Sequence, residues 1–340
     1  MRGAARAAFG AATIVAALAG PAPAQDSDAA FYAGKTVRLV VGSSAGGGYD
    51  TYARLIQPWI GRALGANVVV ENVPGAGGLT ALDRVNRADA DGLTIMIVHG
   101  VAASFAQLFG AAGARFDLPK MSHLGMVSNA SRVWVIGPNA PFRTVERARA
   151  MGRQMIWPAT SPLDGIGDGA AFTCAALRFD CRIVMGYPGT NEAALAVTRG
   201  EADSIYLSDI SALNFTKAGM NLPLFTLSRT RTNLYPDIPT IYEATKVDED
   251  GQWLLDYRAT IETLGRILVA PPNMAPGRLA FLRAAVKKAL TDPALVAESA
   301  RTGFLVTYGD AVETQRATAS VINDLAPARK EQIRKIVVRD

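Results

Sequence analysis

A glycine-rich segment near the start of the chain has the residue types of an anion-binding loop. Gly42–Asp50 reads Gly-Ser-Ser-Ala-Gly-Gly-Gly-Tyr-Asp, between an apolar run at Val37–Val41 that predicts a strand and a helical pattern at Asp50–Leu64. Glycines allow backbone amides to approach an anion closely, and a helix N-terminus adds partial positive charge. The segment therefore predicts a carboxylate or phosphate site, with an ordinary strand-to-helix turn as the alternative.

Four more loops that carry glycine, hydroxyl or carboxyl groups follow predicted strands, at Pro74–Gly78, Pro158–Gly165, Gly186–Thr190 and Ser208–Ser211. Open α/β sheets bind ligands beyond the carboxyl ends of their strands. If loops from two lobes line one cleft, their glycine amides and hydroxyl groups would hold a ligand, and the site would need no pair of acid and base residues. The predicted ligand-binding residues are Ser43, Ser44, Gly46, Gly47, Gly48, Tyr49, Asp50, Gly77, Thr160, Ser161, Asp164, Tyr187 and Asp209.

The first glycine segment also matches Gly-x-Ser-x-Gly, the pattern of a hydrolase nucleophile elbow, with Ser44 as the nucleophile. A serine hydrolase needs a histidine base, and the chain has only His99 and His123. An elbow normally follows several strands, whereas Ser44 follows the first predicted strand. We therefore predict a protein that is not an enzyme, with an exported serine hydrolase as the alternative. Two histidines without clustered cysteines or carboxylates predict neither a metal site nor a cofactor.

Residues 1–24 have the three parts of a secretory signal peptide. Arg2 and Arg6 supply positive charge, Ala7–Gly20 is apolar, and Ala22–Ala24 provides small residues before a cleavage point after Ala24. A membrane anchor is the alternative, but the apolar run is too short to span roughly 30 Å of hydrocarbon. We therefore predict export to the periplasm.

Charge and cysteine content narrow the possible partners. The 35 basic and 30 acidic residues give a formal net charge of +5, and Arg2 and Arg6 would be lost with the leader. No run of five basic residues occurs, so we expect no nucleic-acid partner and no anionic-lipid surface. We also expect the protein to be a monomer. Cys174 and Cys181 are the only cysteines. Export allows a disulfide between them; otherwise they are two small buried residues.

The order of elements after the leader predicts an α/β protein with two lobes. Strand patterns alternate with helical patterns, which indicates βαβ units and largely parallel sheets. One series ends near residue 126, a second ends near residue 225, and a late strand at Arg266–Ala270 precedes long helical patterns. We predict that lobe one comprises residues 25–126 plus 226–340 and that lobe two comprises residues 127–225.

Several short motifs occur in a fixed order along nearly the whole mature chain. The most specific are Glu71–Gly78 (Glu-Asn-Val-Pro-Gly-Ala-Gly-Gly) and Tyr235–Thr240 (Tyr-Pro-Asp-Ile-Pro-Thr). Further motifs are Phe31–Lys35, Gly46–Asp50, Ala90–Thr94, Gly186–Gly189, Gly200–Asp203, Ala270–Pro272 and Lys287–Pro293. In their order and spacing, these segments resemble the receptor proteins of the tripartite tricarboxylate transporters.

The resemblance implies a two-lobed periplasmic binding protein with a type II-like fold, in which crossing hinge strands join two Rossmann-like lobes. It also implies a solute-binding receptor that captures a small di-, tri- or aromatic carboxylate between the lobes. The ligand would contact Ser43–Asp50 and Thr160–Asp164 and would be delivered to integral membrane transporter subunits. A membrane sensor is the alternative partner, because the sequence does not separate the two.

The first loop departs from the usual pattern of that family at Ser43, Ser44 and Tyr49. These residues change the shape and polarity of the expected pocket, so specificity for tricarboxylates does not transfer to this chain. The role of Asp50 stays open between a helix cap, an anchor for the loop and a group that recognises an amine or hydroxyl.

Overall fold

The computed structural model describes residues 24–43, 45–46, 48–129, 131–160, 162–163, 165–232 and 234–338. Nearly all of the predicted signal peptide, residues 1–23, lies outside these ranges. The strands are β1 (Thr36–Val41), β2 (Asn67–Asn72), β3 (Thr94–His99), β4 (Ser122–Ser128), β5 (Arg132–Ile136), β6 (Met155–Pro158), β7 (Cys181–Val184), β8 (Ser204–Ser208), β9 (Leu222–Thr226) and β10 (Arg266–Ala270). The helices are α1 (Ala24–Tyr32), α2 (Gly48–Leu64), α3 (Leu79–Asn86), α4 (Gly100–Leu108), α5 (Val145–Arg149), α6 (Gly167–Leu177), α7 (Thr190–Thr198), α8 (Asp209–Lys217), α9 (Ile241–Ala244), α10 (Glu249–Glu262), α11 (Pro276–Leu290), α12 (Pro293–Thr302), α13 (Ala311–Asn323) and α14 (Pro327–Val337).

The first sheet has the strand order β2-β1-β3-β10-β4. β1 is parallel to β2 and β3, whereas β10 is antiparallel to β3 and β4. Alternate residues of a strand lie on opposite faces of the sheet. Leu39 and Val41 of β1 therefore pack with α2 and α11 on one face, while Val40 packs with α3 on the other. Because helices cover both faces of this sheet, its central strands are mostly apolar and do not alternate between apolar and polar residues.

The second sheet has the order β8-β5-β9, and β6 pairs with β7 in a separate parallel ribbon. β5 is antiparallel to both of its neighbours, so the expectation of largely parallel sheets holds for β1–β3 and for β6–β7 but not here. Trp134 packs with Trp157 and Tyr206 on one face of this sheet. Val133 and Val135 belong to a second apolar cluster on the opposite face.

The segments that cross between the two sheets pack through glycines. A Cβ atom on Gly265 would lie 2.1 Å from the carbonyl oxygen of Ser128, and one on Gly100 would lie 2.1 Å from that of Leu264. The Gly100 amide donates to the Gly265 carbonyl at 3.0 Å. Because the obstructing atoms belong to the backbone, only glycine allows this approach at both positions. The crossing therefore has a closely packed, well-defined geometry.

The helices that follow β9 contact both sheets. α11 packs on α2 beside the first sheet, whereas α10 and α14 pack on α6 beside the second. The boundaries of the two predicted lobes stay a prediction. Within the described ranges, no helix is both long enough and apolar enough to cross a membrane.

Cys174 and Cys181 form a disulfide that joins α6 to the first residue of β7, with their Cα atoms 6.1 Å apart. Of the two alternatives that the sequence leaves open, the structure therefore has the bridge. A crosslink over such a short separation stabilises the fold by about 2–3 kcal/mol when its main effect is to constrain the unfolded chain.

His123 in β4 gives the protein a pH-dependent stability. The side chain has no exposed surface, and its Nε2–H donates to the Leu118 carbonyl at 2.9 Å. Burial lowers the pKa of the imidazole to about 4 from 6.5. As the pH falls, the unfolded chain therefore takes up a proton on this histidine at a higher pH than the folded protein does. The stability that comes from the neutral imidazole is complete above pH 6.5 and is lost as the pH falls towards 4. We expect the loss to be roughly 3 kcal/mol in the free energy of unfolding, measured with urea.

His123→Gln is the matched variant for this pH dependence, because an amide can still donate to the Leu118 carbonyl without titrating. Its unfolding free energy should change little between pH 6.5 and pH 4.5, although carboxylates still titrate at lower pH. An equal slope in both proteins over that interval would assign the pH dependence to another group.

Candidate functional site

The glycine-rich loop between β1 and α2 is held in place by Asp50, which is buried in the first turn of α2. Its Oδ2 accepts hydrogen bonds from the Gly46 amide at 2.8 Å and from Arg54 Nε at 2.9 Å, and its Oδ1 accepts one from Asn72 Nδ2 at 3.0 Å. The hydrogen bond from Arg54 is the main cause that lowers the pKa of Asp50 to about 2. An ionised Asp50 therefore anchors the loop, which is one of the three roles that the sequence left open.

A second glycine segment, after β2, lies directly against this loop. A Cβ atom on Gly42 would lie 2.6 Å from the Cα atom of Gly78, so the two backbones are in contact. Gly77 and Gly78 both have positive φ, at 65° and 95°, which glycine adopts without strain. Asn72 also donates to the Ser43 carbonyl at 3.0 Å. The two loops therefore form one continuous wall at the carboxyl ends of β1 and β2.

A cavity of about 360 Å³ lies beside this wall and the crossing segments. It is bounded by the starts of α2 and α7, and by Ser208, the N-cap of α8. The helix N-termini at this cavity bring partial positive charge to it. Its lining residues are Gly48, Tyr49, His99, Val101, Arg132, Thr160, Ile166, Thr190, Ser208, Ser211, Glu262, Gly265 and Arg266.

A second cavity of about 230 Å³ continues the first and also contains Asp209. Gly48, Ser208, Ser211 and Arg266 line both. We call the two cavities together the cleft. The cleft draws its lining from both sheets and from the crossing segments, as expected for a ligand site between two lobes.

Arg266, the first residue of β10, is the most informative charged group of the cleft. Its guanidinium carbon lies 4.2 Å from the ring centroid of Tyr52 and 5.2 Å from that of Tyr49. One nitrogen donates to Ser128 Oγ at 3.1 Å, while the buried Nε has no hydrogen-bond partner among the described residues. No carboxylate in the described part of the chain forms an ion pair with Arg266. A guanidinium that lies on aromatic rings and has no carboxylate of the described residues in direct ion-pair contact is suited to receive an anion.

Below the cleft, four charged residues form a buried network with no net formal charge. Arg132 Nε donates to Glu262 at 3.1 Å, and Arg258 donates to Glu262 and, at 3.3 Å, to Asp168. Burial by itself would raise the pKa of Glu262, but the guanidinium groups of Arg258 and Arg132 hold it below its ordinary value. The network joins β5, α6 and α10 and fixes Arg132 and Glu262 at the cleft surface.

A third cavity, which we call the side cavity, adjoins the cleft at Tyr49 and His99 and has a volume of about 260 Å³. The two rings lie 5.3 Å apart between their centroids. His99 Nδ1 accepts from the Ala102 amide at 3.1 Å, so a neutral ring carries its proton on Nε2. The deeper lining of the side cavity is apolar and consists of Leu79, Leu82, Met96, Ile97, Val98 and Ala103.

The predicted site residues fall into five groups. Those that line the cleft are Gly48, Tyr49, Thr160 and Asp209, and those that line the side cavity include Ser43 and Gly77. Gly46 and Asp50 support the loop, and Tyr187 packs beside the second sheet without lining either space. Ser44, Gly47, Ser161 and Asp164 lie outside the described residues. Contact between any of these residues and a ligand stays a prediction.

Three charged residues of the cleft are not among the predicted site residues, namely Arg132, Glu262 and Arg266. Arg258 and Glu262 are four residues apart, which is the spacing of an ion pair on one helix face, so the sequence pattern could have predicted their pairing. Arg266 is the first residue of a predicted strand that is otherwise apolar, and this pattern gives no sign that its side chain lies at a cleft.

Comparison with known proteins identifies the family. The sequence profile of the tripartite tricarboxylate transporter family receptor matches residues 52–336. The chain belongs to this family. Its members are periplasmic solute-binding receptors, and the predicted family and the predicted two-lobed α/β fold are both confirmed.

Relatives within the family are distant in sequence. A UPF0065 protein of Agrobacterium vitis is 26% identical over 320 residues, which cover 93% of this receptor and 86% of that protein. Among solved structures, MatC from Rhodopseudomonas palustris with bound malate has a TM-score of 0.66 at 22% identity, covering 88% of this chain and 98% of MatC. Rpa4515 from R. palustris with adipate has a TM-score of 0.69 at 18% identity, with coverage of 89% and 97%. At these identities the structural likeness shows the fold alone.

Proposed function

We propose that this receptor captures a small carboxylate in the cleft and delivers it, chemically unchanged, to a transporter in the membrane. The observation that carries the proposal is Arg266, a cleft guanidinium without a carboxylate partner among the described residues. A bound carboxylate would supply the missing counter-ion. Malate and adipate, the ligands of MatC and Rpa4515, are both carboxylates, which supports this ligand class.

The surroundings of Arg266 suit an anion that is bound without reaction. Gly48 begins α2 and lines both cavities of the cleft together with Arg266, so the α2 N-terminus and the guanidinium are neighbours. Backbone donors lose no side-chain entropy on binding, and closure of the lobes would remove water around each hydrogen bond. Charge-assisted hydrogen bonds of this kind contribute about 1.5–3 kcal/mol each.

The two histidines support binding rather than hydrolysis. His123 is buried in β4 with Nε2 donating to a backbone carbonyl, and His99 Nδ1 accepts from the Ala102 amide at the start of α4. In both neutral rings Nε2 therefore carries the proton, so this nitrogen is a donor rather than a base. We also propose that residues 1–24 are removed on export, that lobes one and two have the predicted boundaries, and that the receptor acts as a monomer.

A thermal-shift panel tests the proposal. Acetate, benzoate, succinate, malate and citrate are compared with acetamide, benzamide and succinamide, which keep the shape and lack the charge. At 100 times its dissociation constant, a bound carboxylate should raise the free energy of unfolding by about 2.7 kcal/mol, and its amide should have little effect. The absence of any shift with carboxylates, or equal shifts with the amides, would reject a carboxylate receptor.

A further inference from the structure

Among the described residues that line the cleft, one of the two arginines has no carboxylate in direct ion-pair contact, so the site offers one cation to a ligand. Arg132 and Arg266 are the cations that line it in the described part of the chain, and Glu262 and Asp209 are the anions. Arg132 is already paired with Glu262 at 3.1 Å. Burial is the main cause that raises the pKa of Asp209, although the hydrogen bond from the Ile210 amide and the charges of Arg132 and Arg266 act in the opposite direction. A second ligand carboxylate would therefore meet no unpaired cation among these residues and would approach two acidic side chains.

The side cavity offers a different environment next to the same cleft. Leu82, Met96, Val98 and Ala103 form its inner lining, and each has at most 3% of its surface exposed. Apolar cavities of roughly 150 Å³ stay dry and accept a benzene ring, and this one has a volume of about 260 Å³. Tyr49 belongs to both spaces, so a ligand that lies against it can extend from one into the other.

We propose that the solute is a monocarboxylate with an apolar body, an aromatic ring or a branched alkyl group, and that this body occupies the side cavity. The inference rests on the proposed function and names the ligand class for the same site. The carboxylate would contact Arg266 in the cleft, and the body would pass Tyr49 and His99 to reach Leu82 and Ala103. Transfer of an apolar group from water into this lining adds affinity in proportion to the area buried.

Titration calorimetry on the wild-type protein gives the first test, with benzoate and 4-methylpentanoate as apolar monocarboxylates and acetate, succinate and citrate as comparisons. We expect both apolar monocarboxylates to bind at least tenfold more tightly than acetate or succinate. Their heat-capacity change on binding should also be more negative, because apolar surface is buried. Succinate or citrate binding most tightly would overturn this ligand class while leaving the carboxylate receptor intact. Failure of all carboxylates to bind would overturn both.

Ala103→Leu tests the location of the apolar body, because the larger side chain fills the side cavity from α4. We expect affinity for benzoate to fall at least tenfold, with affinity for acetate unchanged. Ala102→Leu is the matched control, since Ala102 lies next to it on the same helix and does not line the side cavity. Unchanged benzoate affinity in the folded Ala103→Leu protein would place the body elsewhere. If that variant does not fold, Ala103→Val makes the same comparison with less added volume.

Discussion

Replacing Arg258 with methionine should lower the free energy of unfolding by about 3–5 kcal/mol at neutral pH. Arg258 has no exposed surface and donates to both Asp168 and Glu262. Methionine fills a similar space without charge, so the substitution removes the guanidinium that two buried carboxylates share. The cost arises because Glu262 and Asp168, which is fully buried, both lose the positive charge paired with them. Urea unfolding of the mature protein measures the difference.

Two further measurements separate this cause from a simple loss of packing. Arg258→Met removes the guanidinium that helps to hold the pKa of Glu262 below its ordinary value, so the deficit relative to wild type should shrink as the pH is lowered. Arg258→Met combined with Asp168→Asn should recover part of the lost stability, because a neutral amide is less costly to bury. A deficit that is independent of pH and unchanged in the double variant would contradict the electrostatic account.

Arg199→Met is the matched control on the surface. Arg199 lies 4.0 Å from Glu201, and both side chains are more than half exposed. Exposed pairs of this kind contribute about 0–1 kcal/mol, so this substitution should change the unfolding free energy by no more than that.

The buried network also has a consequence for the cleft. Arg132 is in β5, Asp168 is in α6, and Arg258 and Glu262 are in α10, so the ion pairs hold three elements together beneath the cleft. Buried ion pairs seldom add net stability over apolar residues, but breaking one is costly. We infer that the network positions Arg132 and Glu262, whose pairing leaves Arg266 as the cation for the ligand.

Much of the fold could be predicted from local patterns. The glycine loop between β1 and α2 was located from Gly46–Gly48 after an apolar strand, because turn chemistry and hydrophobic periodicity are encoded by neighbouring residues. The direction of β5 was not predicted. Strand pairing joins residues that are distant in sequence, such as Trp134 with Phe225, and short apolar runs look alike in parallel and antiparallel sheets.

The candidate site was predicted only where its residues have a local signature. Gly48, Tyr49 and Thr160 belong to loops that follow predicted strands, and all three line the cleft. Arg266 and Glu262 were missed because their importance depends on what surrounds them. An arginine can be recognised as unpaired only when the positions of all its possible partners are known. Those positions depend on contacts between residues that are far apart along the chain.

Replacing Arg266 with glutamine should weaken binding of the best carboxylate by about 10- to 150-fold, measured by titration calorimetry. This range corresponds to the loss of a charge-assisted interaction of about 1.5–3 kcal/mol. Arg266→Lys should give an intermediate loss, because an ammonium keeps the charge but lacks the planar fork and the stacking on Tyr52. The loss should be smaller at high salt, where the charge contributes less to the wild-type affinity.

The stability of Arg266→Gln distinguishes a binding role from a structural one. The buried Nε has no hydrogen-bond partner in the described part of the chain, so removing it should leave the free energy of unfolding unchanged or slightly higher while affinity falls. Arg38→Gln is the matched control. Arg38 is also a strand arginine that donates to a hydroxyl, Thr94 Oγ1 at 2.8 Å, but it does not line the cleft. An Arg266→Gln protein that is folded and binds the carboxylate with wild-type affinity would show that the anion is neutralised by another group, and Arg266 would then serve only to pack against Tyr49 and Tyr52.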